Sequence, residues 1–201
     1  MARTANKHSG RNSLVELMLM VAVAVGLALG IQAFLVKPFT IPSESMEPTL
    51  DVGQRVLVNR VSKNFDDYDR GDILVFNPPR GAEGDVCGVT HSDRSPCPRP
   101  TAERSDTHFI KRVVAVGGDR LKILGGRVFI DGKRQSEPFI RPCSGCADLP
   151  QAITVPKGHY FMMGDNRGAS DDSRVWGPIP KDWVTGNAFA TYWPPGRVGT
   201  L

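Results

Sequence analysis

The chain has 201 residues, 40% of them hydrophobic and 23% charged, with a formal net charge of +4. That length accommodates one membrane span and one domain with a sizeable core. The modest charge, with no Lys/Arg block, argues against nucleic-acid binding. With 21 Gly and 16 Pro, the sequence favours turns over long helices, so the folded part is expected to be mainly β.

Residues 1–13 form a polar tail that carries Arg3, Lys7 and Arg11. From Leu14 to Val36 the chain is almost wholly apolar, interrupted only by Glu16 and Gln32. A span needs about 20 such residues, whereas a cleaved secretory signal has an apolar core of roughly 7–15. Residues 14–36 are therefore expected to be a retained transmembrane helix. Lys37 is the only basic residue between that run and Arg55. The positive-inside rule then keeps the N-terminus in the cytoplasm and puts residues 37–201 outside, at the surface of the membrane lipid. Gly26 and Gly30 match a GxxxG packing motif, but glycine is common in membrane helices and nothing is built on it.

The outer domain reads as short strands between turn residues. Gln54–Asn59 and Gly71–Phe76 come first. A long loop of Pro, Gly, Ser and charge follows at about 77–108, and then a β-branched stretch, Phe109–Val116. Leu121–Ile130 with Asp131-Gly132 predicts a hairpin, since Asp-Gly supplies the positive φ angles of a tight turn. His159–Met163 and Asn187–Trp193 are the last two expected strands. All four cysteines, Cys87, Cys97, Cys143 and Cys146, lie on the outer side, where disulfides persist. Three pairings are possible; local closure, Cys87 with Cys97 and Cys143 with Cys146, is the simplest. A zinc site at Cys143 and Cys146 lacks a second ligand pair, and a thioredoxin-like role lacks its βαβ setting.

Ser45 lies shortly beyond the apolar run, between Pro42 and Pro48. Their fixed φ angles and missing N–H groups resist regular pairing, which leaves the Ser45 hydroxyl exposed and its amide free. That amide and the Ser43 hydroxyl are suited to donate to a developing oxyanion. A simple turn after a membrane helix accounts for this segment equally well. A hydroxyl needs a base, and Lys111 is the best candidate. In a strand it shares a face with Phe109, Val113 and Ala115, where desolvation favours the neutral amine. Lowering its pKa from about 10.4 to near neutrality takes about 3–4 kcal/mol, which burial can supply. A solvated lysine on an edge strand is the competing view. No histidine fits a Ser-His-Asp arrangement, because His8 lies in the tail, His91 and His108 in or beside the loop, and His159 in a turn. No HExxH or paired-histidine motif occurs.

The stretch from Met163 to Pro178 mixes acids, arginines and small hydroxyl residues just after an apolar strand. Asp172 with Arg174 and Asp165 with Arg112 are candidate ion pairs, and Ser170 is a candidate partner for the Lys111 amine. A solvated Asp/Asn/Gly turn is the bland alternative.

Together these segments resemble the bacterial type I signal peptidases, membrane-anchored Ser-Lys endopeptidases. Ser45-Met46-Glu47-Pro48-Thr49-Leu50 is similar to the family's nucleophile box, Gly71-Asp72-Ile73-Leu74-Val75 to its next strand, and Lys111 through Asp119 to its base box. Gly164-Asp165-Asn166-Arg167 through Ser170, Asp172, Ser173 and Arg174 resembles the last box. The four occur in order behind one span. The resemblance implies a mainly β catalytic domain related to self-cleaving Ser-Lys repressors, with Ser45 as nucleophile, Lys111 as general base and Ser170 orienting the lysine. It implies Arg112, Asp165, Asp172 and Arg174 as supports, and Phe39, Ile41, Met46, Leu50 and Ile110 as pocket residues. The expected substrates are signal-peptide-bearing preproteins with small residues at the first and third positions before the cut. No metal or cofactor is implied, and the protein is expected to be a monomer in the bacterial plasma membrane. A cytoplasmic self-cleaving repressor would need a DNA-binding module in place of the span, and a tethered binding module would need neither Ser45 nor Lys111.

Overall fold

The computed structural model describes residues 9–61, 67–82, 90, 103–143, 145–146 and 148–201. Helix α1, Ser9–Phe34, contains the apolar window Ser13–Gly30, which is long and apolar enough to cross a membrane and has 0% of its residues buried by the rest of the protein. The helix begins earlier than the apolar run, and Val36 already belongs to the first strand, β1 (Val36–Thr40).

The rest is mainly β, as expected from the turn-rich composition. β2 (Arg55–Asn59), β3 (Ile73–Phe76), β4 (Phe109–Val116), β9 (His159–Met163), β10 (Ile179–Pro180), β11 (Val184–Trp193) and β12 (Gly199–Thr200) join β1 in one eight-stranded sheet. Its order is β1-β2-β11-β3-β4-β9-β10, with β12 on β11, and every pairing is antiparallel. β5 (Arg120–Leu124), β6 (Arg127–Ile130), β7 (Lys133–Arg134) and β8 (Leu149–Thr154) form a second sheet, ordered β7-β6-β5-β8. The stretch Leu121–Ile130 is thus two strands, because Gly125 and Gly126 both adopt positive φ and turn the chain before Asp131-Gly132 turns it again.

β4 is central. Its residues Ile110 through Ala115 are all buried, because both faces are covered. On one face Val113 packs with Leu74, Phe76, Met162 and Trp176, and on the other Val114 and Ala115 pack with Leu121, Ile123 and Phe161 of the region between the two sheets. A third cluster, Ile41, Met46, Leu50, Val56, Val58 and Ile110, seats the Ser45 turn on β2 and β4. The long loop is zipped at its base: Arg80 N–H donates to Glu103 O at 2.9 Å and Ser105 N–H to Pro78 O at 2.7 Å. The Cys87–Cys97 pairing lies outside the described residues. Cys143 and Cys146 are bonded.

Candidate active site

Ser45 sits in a single 3-10 turn, Glu44–Met46, whose apolar side, Met46, is fully buried. Pro42 and Pro48 flank the turn, and Glu47 N–H closes it on Glu44 O at 3.0 Å. Across from it, β4 delivers Lys111, only 5% exposed. Lys111 Nζ lies 2.7 Å from Ser45 Oγ, hydrogen-bond distance for a proton to move along. Burial lowers the lysine pKa to about 8, outweighing the opposing pull of Asp172 and Asp171. Ser43 Oγ stands 3.3 Å from Ser45 Oγ.

The polar loop after β9 closes the other side. Asn166 N–H donates to Ser45 O at 3.1 Å, and its Nδ2 donates to Glu44 O at 3.2 Å. Asp172 caps the short helix α2, Ser173–Trp176, and holds Arg174 through two bonds of 2.8 Å. Burial alone would raise the Asp172 carboxyl, but the Arg174 charge and hydrogen bonds, the Gly164 N–H and the Ser170 hydroxyl hold it below the usual carboxylate range. Ser170 Oγ donates to Asp172 Oδ2 at 2.8 Å and not to Lys111, so its link to the lysine runs through that carboxylate. Arg112 forks onto Asp165 at 2.9 and 2.7 Å, donates to Gly71 O at 2.7 Å, and lies 3.9 Å above the Phe139 ring. Thr49 Oγ1 adds a bond to Asp165, tying the end of the nucleophile segment to the same carboxylate.

Gly164 packs tightly against both Ser170 and the Ser45 turn. A Cβ there would meet Ser170 Cβ at 2.6 Å and press on Ser170 Oγ and Ser45 O as well. We expect Gly164→Ala to cut turnover by at least about tenfold while the fold survives, since a displacement of about 1 Å at a reacting group can cost on the order of 100-fold. Steady-state kinetics beside circular dichroism check this.

A cleft of about 350 Å³ opens over the dyad, lined by Pro42, Ser43, Ser45, Ile110 and Lys111 and by His108, Phe109, Ala169 and Asp171. A smaller pocket adjoins it, lined by Phe39, Ile41, Val75, Ile110 and again His108 and Phe109. Of the expected pocket residues, Phe39, Ile41 and Ile110 line these cavities. Met46 and Leu50 do not; both are 0% exposed and form the floor beneath the Ser45 turn. His108 escaped sequence reasoning because it closes the long loop; its place three residues before Lys111 on the same strand approach was the available signal. Its imidazole pKa is lowered by burial and by Lys37, Arg104 and Arg60 nearby. Among the described residues, no group of His, Cys, Asp and Glu is placed to hold a metal ion.

The family profile described as "Signal peptidase, peptidase S26" matches residues 14–193. The chain belongs to that family. Its activity is that of a signal peptidase I, a serine endopeptidase. A probable signal peptidase I-2 of Synechocystis sp. is 34% identical over 190 residues, covering 94% of this chain and 78% of the relative. A signal peptidase I of Leptolyngbya laminosa is 34% identical over 197 residues, covering 98% and 88%. A signal peptidase IB of Staphylococcus aureus is 30% identical over 200 residues, covering 92% of each. A crystal structure of a signal peptidase I from Enterococcus faecalis aligns with a TM-score of 0.42 at 23% identity, over 61% of this chain and 97% of that one; family membership rests on the sequence matches.

Proposed function

We propose that Ser45 is the nucleophile and Lys111 the general base of a Ser-Lys dyad that removes signal peptides from exported preproteins. The observation that carries this reading is the 2.7 Å approach of a buried lysine amine to a serine hydroxyl at the bottom of an open cleft. Neutral Lys111 takes the Ser45 proton as Oγ attacks the scissile carbonyl. The Ser45 N–H and the Ser43 hydroxyl receive the oxyanion. Lys111 then passes the proton to the leaving amine and activates the water that releases the acyl group from Ser45. Ser170 and Asp172 orient the lysine, while the Arg112–Asp165 and Asp172–Arg174 pairs hold the walls. No metal or cofactor takes part.

The two cavities fit a preprotein whose first and third residues before the cut are small. The adjoining pocket is small, about 50 Å³, and is bounded by Phe39, Ile41 and Val75, which suits a small side chain. Helix α1 would anchor the protein as a single pass in the plasma membrane lipid. Arg3, Lys7 and Arg11 would keep the tail in the cytoplasm, with residues 37–201 a monomeric extracytoplasmic catalytic domain. Detergent-solubilised protein is expected to cut a labelled preprotein at its signal-peptide junction when the third residue before the cut is alanine, and on the order of 100-fold more slowly when it is phenylalanine. Equal rates for both substrates would refute the pocket assignment, and no cleavage of either would refute the activity.

A further inference from the structure

The dyad chemistry has no need of Arg141, Cys143 or Cys146, yet these residues lie directly against the loop running from Asp165 to Ser170. The two pair as a short parallel bridge: Arg141 N–H donates to Asp165 O at 2.8 Å, and Arg167 N–H donates to Arg141 O at 3.2 Å. A Cβ built on Gly168 would meet Cys143 Cβ at 3.4 Å, so the Cys143–Cys146 disulfide forms the backing of that part of the loop. On its opposite side the same loop holds the nucleophile turn through Asn166, which bonds Ser45 O and Glu44 O. Arg141 also reaches the turn itself, with Nη1 2.8 Å from Glu47 Oε2. The polar loop is clamped between the crosslinked segment and the serine it serves.

We propose that the Cys143–Cys146 disulfide and Arg141 form a positioning brace, which presses the Asp165–Ser170 loop onto the Ser45 turn and so keeps water away from Lys111. The proposal rests on the dyad reading given above. The disulfide joins residues three apart in sequence, and closing so short a loop removes little entropy from the unfolded chain. The Arg141–Glu47 pair is half-exposed, in the class worth about 0.2–1 kcal/mol. Neither is a main support of the fold; what both restrict is the local freedom of one wall of the site. The charges that face Lys111, namely Asp172, Asp171, Arg174 and Asp165, all belong to this loop or to the residues just beyond it. Burial is the dominant influence on the amine, so a loosened wall that admits water moves it back toward an ordinary lysine.

The test is the pH dependence of single-turnover preprotein cleavage by the full chain in detergent, comparing the parent with the Cys143→Ser/Cys146→Ser double variant. The rising acid-side limb is expected to move upward by about one pH unit, with the rate at pH 7 falling about tenfold and returning to within about twofold of the parent on the alkaline plateau, and with KM nearly unchanged. Arg141→Ala moves the limb the same way by less, and Arg141→Lys restores it. With each rate divided by the folded fraction measured at that pH, a limb that stays in place in either the disulfide variant or Arg141→Ala overturns the brace, even if the overall rate drops. A parent whose rate does not rise with pH toward about 8 would instead overturn the dyad reading beneath it.

Discussion

Lys111→Met is expected to abolish cleavage and, at neutral pH, to stabilise the folded domain. The loss of activity follows from removing the only base within reach of Ser45 Oγ among the described residues: a positioned proton acceptor contributes about 10²- to 10⁴-fold, and an unactivated serine adds little beyond background. Ser45→Ala is expected to match it, and the double variant to be no worse than either single one, because the two act as a unit. The gain in stability follows from linkage. Burial holds Lys111 at about 8 in the folded protein, below the 10.5 of an unfolded chain. Between those values the unfolded state binds the extra proton, so stability rises with pH across that window; below about 8 the full cost, about 3 kcal/mol, is present. Methionine fills similar space without a charge to desolvate. Urea unfolding of both proteins should therefore show the variant ahead at pH 7 and the gap closing as pH approaches 10.5. A variant less stable than the parent at pH 7 would contradict the strained, buried amine.

The second large effect lies at Asp165. Its carboxylate is 0% exposed and takes both arms of Arg112 and the Thr49 hydroxyl. Asp165→Ala leaves a guanidinium 10% exposed with the Gly71 carbonyl, a long bond to the Thr49 hydroxyl and an aromatic face as its remaining partners. An uncompensated buried charge of this kind costs about 3–5 kcal/mol, which for a domain of this size lowers Tm by roughly 10 °C. Replacing both partners, as Arg112→Met with Asp165→Leu, should cost less than Asp165→Ala alone, since no charge is stranded. Calorimetry of the three proteins decides it; a double variant at least as unstable as the sum of its parts would show that the pair is not a unit. Thr49 ties the nucleophile segment to the same carboxylate, so Asp165→Ala should also lower turnover of whatever fraction stays folded.

These expectations rest on residues whose legibility in the sequence differs for physical reasons. Runs such as Phe109–Val116 and His159–Met163 announce themselves because buried central strands must be apolar and β-branched or aromatic. β1 and β8 do not, because each carries a proline, Pro38 and Pro150, tolerated at the sheet edges they occupy. The Gly125-Gly126 turn was hidden inside an apolar stretch that reads as one strand. Asp172 with Arg174 could be anticipated because they are near neighbours. Arg167, fully buried and held by Glu137, could not, since no local pattern links residues 30 apart. Resemblance assigns Met46 and Leu50 to the pocket, whereas in the structure both are buried with Val56, Val58 and Ile110 beneath the Ser45 turn. Sequence order alone could not show Ser170 donating to Asp172, because a hydroxyl chooses between partners only once the loop is closed.

The most direct measurement is the pH dependence of the chemical step in the unmodified protein, followed as single-turnover cleavage of a labelled preprotein. An uncharged amine at position 111 predicts a rate that climbs about tenfold per pH unit on the acid side and levels off above about 8. A rate that stays constant from well below that value to well above it would contradict lysine as the base.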